Sequence, residues 1–346
     1  MTEFKEMLIQ LGTLRVAEPS IDWAYMVALE ERWRLQLDDS PHGRPWHTSF
    51  HASSFPGDDP QACGRFAMYG LMDIPKGGPT DRWLHGTAEA GKSIELSIVR
   101  AVRDAGLLVQ SGQEGRSTDP EARDEHGEPM PQIGFEDPDH WLTGSVDMPW
   151  MPHGHNTPLI TEIKTKHEDK IREMALGQRQ YDAKHRRQLL CSLGLAHEHP
   201  EAFLHPVTGK PLPAAQDGVL YYHPRDTPWP GPIETFEFYF QYDPGFMEEG
   251  RAKLAEWKMS FLDDELPQKV AHKNRLSHPN GPGWRWSEGA CKYCNLKKIC
   301  RSDYEDGTTS LSESAAVAVA TFQRPGYSHR AKRSAVLRSW GIDDEG

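Results

Sequence analysis

The chain has 346 residues, 37% of them hydrophobic and 26% charged, enough to bury one large core or two modest ones. No run approaches the roughly 18 apolar residues of a membrane span. The N-terminal "MTEFKEMLIQLGTLRV" also lacks the basic, apolar, small-residue order of a secretory signal, so a soluble cytoplasmic protein with no membrane partner is expected. The formal net charge of −12 excludes coating of nucleic acid through overall charge and leaves room only for a focused basic groove.

In chain order, residues 1–35 read as one or two helices, with Trp23, Met26 and Leu29 at helical spacing on a core face. A loop follows, and then Asp59-Pro60 starts a helix through "QACGRFAMYGLM" that carries Cys63. "GTAEAGKSIELSIVRAVRDAGLL" repeats Ile94, Ile98 and Val102 every fourth residue and predicts a long helix. Residues 111–139 are polar and acidic and read as a mobile loop. "HWLTGSVDMPW" and "PLITEIKTK" predict the two arms of a hairpin, with His153 and His155 in its exposed turn. "QYDAKHRRQLLCSLGL" predicts a helix stopped near Gly194; "GVLYYHP" and "IETFEFYFQYD" predict two more strands. In the last of these, Phe236, Phe238 and Phe240 share a buried face. A helix over "MEEGRAKLAEWKMSFL", a cysteine cluster and a Ser- and Ala-rich tail from about 305 complete the chain. This order predicts an α/β fold with helices on a central mixed sheet.

Two constellations carry chemistry. Side chains of a strand alternate between faces, so Glu162 and Lys164 share one face of the second hairpin arm, while Asp147 lies on the first. Asp147 and Glu162 are hard oxygen ligands suited to magnesium or manganese, the Ile163 carbonyl is a further donor, and Lys164 can orient a water and offset developing negative charge. On its own an E-x-K is more often a solvated ion pair. The second constellation is Cys291, Cys294 and Cys300 in "CKYCNLKKIC", which the distant Cys63 completes to four thiolates, while Cys191 in "QLLCSLGL" reads as a core residue. Four thiolates hold zinc or an iron-sulfur cluster, and the C-x2-C-x5-C spacing favours iron-sulfur.

Together, the D…E-x-K hairpin and the cysteine bracket resemble the PD-(D/E)XK nuclease superfamily and, within it, the RecB-like exonucleases of the CRISPR-associated iron-sulfur type (the fourth Cas family) and their phage-encoded relatives. The resemblance runs from about Ser53 to Asp303. It implies a restriction-endonuclease-like core and a 4Fe-4S subdomain in which Cys63, Cys291, Cys294 and Cys300 tie the N- and C-terminal segments together. The implied organisation is a helical segment over 1–50, the nuclease domain with its cluster over 51–304, and a tail over 305–346.

Residue by residue, the resemblance implies a metal ligand before the hairpin, where "GKSIE" places Glu95 instead of the usual histidine. It also implies a Q-x-x-x-Y helix, for which "RRQLLCS" offers Gln188 but Ser192 in place of the tyrosine; Gln180-Tyr181 is a rival outside the helical phase. Arg186 and Arg187 become candidate backbone contacts, and Trp284 and Trp286 a stacking platform for bases. The expected protein is a magnesium- or manganese-dependent DNA exonuclease acting on single-stranded ends. Its setting would be a bacterial cell, or the host cytoplasm if phage-encoded, where it works alone, as a homo-oligomer, or with a recombination or CRISPR-adaptation partner. A catalytically silent DNA-end binder and a zinc-stabilised interaction protein are the alternatives.

Overall fold

The structure, a computed structural model, describes residues 48–59, 62–73, 82–225, 235–267, 277–278, 281–282, 299, 310–322 and 327–343. The helices expected over 1–35 and the motifs of residues 283–298 lie outside them.

Two small mixed sheets and the helices between them build the core. In the first sheet, β1 (Phe50–His51) runs parallel to β4 (Leu142–Ser145), which pairs antiparallel with β3 (Gly134–Asp137). In the second, the order is β5 (Met148–Trp150), β6 (Leu159–Lys166), β8 (Asp217–Pro224) and β9 (Phe236–Gln241). Its central pair β6 and β8 is parallel and its outer pairs are antiparallel, so the expected mixed α/β architecture is present. The first hairpin arm, expected as one strand from His140 that ends at Met148-Pro149, is broken at Val146 and Asp147 and divided between the two sheets. The break has a side-chain cause. Asp147 Oδ2 accepts the Ile163 N–H at 3.0 Å, so a carboxylate takes the place of a ladder carbonyl where the chain changes sheets.

Helix α1 (Gly64–Leu71) begins one residue after Cys63, which therefore stands at its N-cap and not within it. The 23-residue α2 (Arg82–Asp104) lies on one face of the second sheet, where Val99, Leu108, Met148 and Ile163 form a small buried cluster. Between α2 and β3, the segment expected to be mobile is ordered. The strand β2 (Gln110–Ser111) pairs with β7 (Phe203–Leu204). Arg103 also reaches Asp119 at 2.9 Å, and Arg100 reaches Glu121. Its polar composition is consumed by turns and ion pairs, a use that hydropathy alone does not distinguish from disorder.

The other face of the second sheet is covered by α3 (Glu168–Ala175) and α4 (Ala183–Glu198). Asp182 caps α4 by accepting the Lys184 N–H, and the helix runs past Gly194 to Glu198. Gly194 does not stop the helix: a Cβ there would strike Met247 of α5 (Pro244–Leu262), so the glycine permits close helix packing. Gly250 of α5 does the same against Phe55. Asp243 and Pro244 start α5 as a capping acid and a first-turn proline, with Asp243 Oδ1 accepting the Phe246 N–H.

The segment read as a tail supplies α6 (Leu311–Phe322) and α7 (His329–Ser339). Leu311, Ala315, Ala318, Val336 and Leu337 join the main core, and Trp340 stacks on buried Trp141 at 6.0 Å. An Ala-rich helix with a narrow apolar stripe looks like a tail in sequence and packs closely because its side chains are small.

Candidate active site

Alternation along β6 puts Glu162, Lys164 and Lys166 on the α4 side of the sheet, and Thr161, Ile163 and Thr165 on the α2 side, where Gly91 approaches Thr165. Glu162 is 1% exposed and lies within the sheet's covered face. Its buried Oε1 is ion-paired with the Lys164 ammonium. Lys164 Nζ also lies 4.0 Å from Asp147 Oδ2. Glu95 arrives from α2, near enough to Asp147 for their charges to repel, and is itself paired with Lys92 at 2.5 Å.

The electrostatics are those of acids short of positive charge. Burial, with Asp147 adding to it, pushes the Glu162 carboxyl up to about 8 against the pull of Lys164. Burial followed by repulsion from Asp147 also raises Glu95, with Lys92 and Lys164 opposing. Burial disfavours the Lys164 ammonium, but Glu162 and Asp147 more than compensate and hold it well above the ordinary lysine value. Three carboxylates thus gather around two ammoniums, Lys164 and Lys92. Among the described residues, no three His, Cys, Asp or Glu side chains stand ready as a metal-binding set. Lys164, which contacts both Glu162 and Asp147, meets part of their demand for positive charge. Buried acids with raised proton affinity are what a hard divalent cation would relieve, so the donor chemistry fits magnesium or manganese.

The other candidates are placed less uniformly. Ile163 points its side chain into the α2 cluster. Gln188, one turn beyond His185 on α4, is half-buried and makes no hydrogen bond to Lys164 among the described residues. Arg186 pairs with Asp58 at 2.8 Å and lies over the Phe246 ring; Arg187 pairs with Asp59 at 2.8 Å. Both arginines therefore tie α4 to the segment before α1. Tyr181 packs edge-on against Phe238 and Phe240, and His153 and His155 are exposed in the hairpin turn. Cys191 is buried in the core. Trp284, Trp286, Cys291, Cys294 and Cys300 lie outside the described residues.

A group of residues beside Lys164 escaped the sequence reading. Tyr222 stands opposite Lys164 in the parallel register of β6 and β8. Its Oη accepts the Asp182 N–H at 3.1 Å and lies 3.0 Å from His185 Nδ1. Lys166 Nζ is 3.7 Å from Asp182 Oδ2 and 5.6 Å from the centre of the Tyr222 ring. Only Lys166 had a signal in sequence, as the next same-face residue after Lys164.

Two solved structures resemble this fold at low similarity. One is the alkaline exonuclease LHK-Exo from Laribacter hongkongensis, at 12% identity and a TM-score of 0.37, covering 66% of this chain and 91% of that one. The other is LHK-Exo in complex with dAMP, at 13% identity and a TM-score of 0.36, covering 62% of this chain and 87% of that one. No family model matches the chain, and no curated protein matches it. Among the described residues, no helix is long and apolar enough to cross a membrane. The functional reading therefore rests on the side chains of the site.

Proposed function

We propose that the protein is a metal-dependent DNA exonuclease that hydrolyses phosphodiester bonds, acting on single-stranded ends. One observation carries the reading: the buried Glu162 and the nearby Asp147 both contact Lys164, and Glu95 lies close enough to act on all three. A lone structural ion pair would not require three neighbouring acids, one of them fully buried.

Asp147 and Glu162, with the Ile163 carbonyl and Glu95 in support, would hold magnesium or manganese. When bound, the ion would polarise the phosphate and activate water. The chain's own contribution is positional. Lys164 carries a charge that its neighbours keep on at any working pH, and it is placed to orient the water and to offset the negative charge that grows on the phosphate oxygens. Burial of the Glu162 carboxylate within the sheet keeps that exchange of charge in a low-dielectric setting, where it is worth most.

We also propose the 4Fe-4S cluster as a structural clasp, held by Cys63, Cys291, Cys294 and Cys300. Two contacts support it. Arg65 Nε, two residues after Cys63, donates to Pro267 O at 3.0 Å, and Ile299, next to Cys300, is buried in the same core as α1.

The test is end-labelled single-stranded DNA incubated with anaerobically purified protein in manganese, magnesium or chelator, for wild type, Asp147→Ala, Glu162→Ala, Lys164→Ala and Glu95→Ala. Loss of either hairpin acid should abolish cleavage, and Glu95→Ala should reduce it. Wild-type rates from Asp147→Ala or Glu162→Ala would place the chemistry elsewhere, and a colourless wild type holding one zinc would replace the iron-sulfur cluster with a zinc clasp.

A further inference from the structure

Lys166 ends β6, on the face that carries Glu162 and Lys164. Two residues of strand advance about 6.6 Å, a step comparable to the separation of successive phosphates along a nucleic-acid strand. We propose that Lys166, seated on Tyr222 beside His185, binds the phosphate next to the scissile one, so that the row Glu162, Lys164, Lys166 reads two phosphates in succession. The inference rests on the nuclease reading and assigns the same site its substrate register.

Four observations carry it. First, Lys166 is held by an acid only at the long end of an ion pair: Asp182 Oδ2 lies at 3.7 Å, while Asp182 Oδ1 caps α4 through the Lys184 N–H at 3.0 Å. Second, its position is built: the side chain is 16% exposed, its ammonium lies over the Tyr222 ring, and the Arg225 N–H binds its carbonyl at 3.0 Å. Third, the surroundings are cationic in a chain whose net charge is −12. Arg179 and Arg225 both lie near enough to repel the Lys166 charge, and Asp182 is the acid that opposes them. Such local positive charge focuses a polyanion where overall charge would reject it.

The fourth concerns His185. Tyr222 Oη already accepts the Asp182 N–H, so its own hydrogen is available to His185 Nδ1 at 3.0 Å. In the tautomer that accepts this bond at Nδ1, the histidine proton sits on Nε2 as a neutral donor. Burial, reinforced by Lys164, Lys166 and Lys184 against Asp182, holds the imidazole down to about 4, so the donor stays uncharged across ordinary assay conditions. Lys166 supplies charge and His185 a directional hydrogen bond, the combination that backbone contacts use to set register.

The experiment compares a substrate with one phosphodiester, thymidine 5′-(p-nitrophenyl phosphate), with oligothymidylate, in manganese, for wild type, Lys166→Gln, Lys166→Arg and His185→Gln. Lys166→Gln should raise KM for oligothymidylate about tenfold with kcat little changed, and leave kcat/KM on the single phosphodiester as in wild type. The unchanged small-substrate rate also reports an intact fold. In anisotropy binding to oligothymidylate with chelator, the slope of log K against log salt should shrink by about 0.7 in Lys166→Gln and be restored in Lys166→Arg. His185→Gln should raise KM severalfold in the same direction. If wild type cleaves both substrates and Lys166→Gln leaves the oligonucleotide KM and the salt slope unchanged, or loses activity equally on both substrates, the subsite assignment is overturned. If wild type cleaves neither, the nuclease reading fails and the inference with it.

Discussion

Replacing Glu162 by Gln keeps the shape of the side chain and removes its titration, and its effect on stability can be worked out from the site. Burial and Asp147 raise the folded-state Glu162 carboxyl from about 4.5 to about 8. The folded protein therefore holds a proton that the unfolded chain releases above about 4.5, and stability falls as pH rises through this interval before levelling off beyond 8. At 1.36 kcal/mol per pH unit the whole interval amounts to roughly 3–5 kcal/mol, undiminished by solvent screening because the group is buried. Glu95 acts in the same direction. Urea unfolding of metal-free protein at pH 5, 6, 7 and 8 should show wild type losing several kcal/mol while Glu162→Gln changes much less. Manganese should restore wild type most at pH 8, where the ligands are already deprotonated, and should do little for the variant. Parallel pH profiles for the two proteins would refute the reasoning, because the proton affinity would then reside elsewhere.

Lys164→Met leaves the acids without their ammonium; it should destabilise by about 3–5 kcal/mol at pH 8 and by less at pH 5, where Glu162 can protonate, and single-turnover cleavage should fall at least 100-fold while calorimetry still detects manganese binding. Gly250→Ala pushes a methyl into the Phe55 ring and should cost about 1–3 kcal/mol in thermal or urea unfolding, with cleavage per folded molecule unchanged. Cys63→Ala, Cys291→Ala, Cys294→Ala and Cys300→Ala should each bleach the visible absorbance and reduce soluble yield, whereas Cys191→Ala, a change in the buried core, should stay brown.

Glu162 and Lys164 were legible in the sequence as same-face partners because strand periodicity is local: alternate residues share a face whatever the strand packs against. The long helix of Ile94, Ile98 and Val102 and the Phe236, Phe238, Phe240 stripe were legible for the same reason, since spacing needs only near neighbours. Tertiary structure alone decided what those faces meet. Asp147 was expected within a strand, but it breaks one, because its carboxylate takes the Ile163 N–H of a strand sixteen residues away. Gly194 looked like a helix stop and proved to be a seat for Met247, a contact between helices that no local pattern encodes. The Ala-rich C-terminal segment became part of the core because small side chains bury well only when a partner surface fits them. Tyr222 and His185 joined the site through the register of two parallel strands and the docking of α4. Parallel pairing links residues through a long crossover, so the neighbour of Lys164 across the sheet, and with it the charge environment of the whole row, is determined only once the chain has folded back on itself.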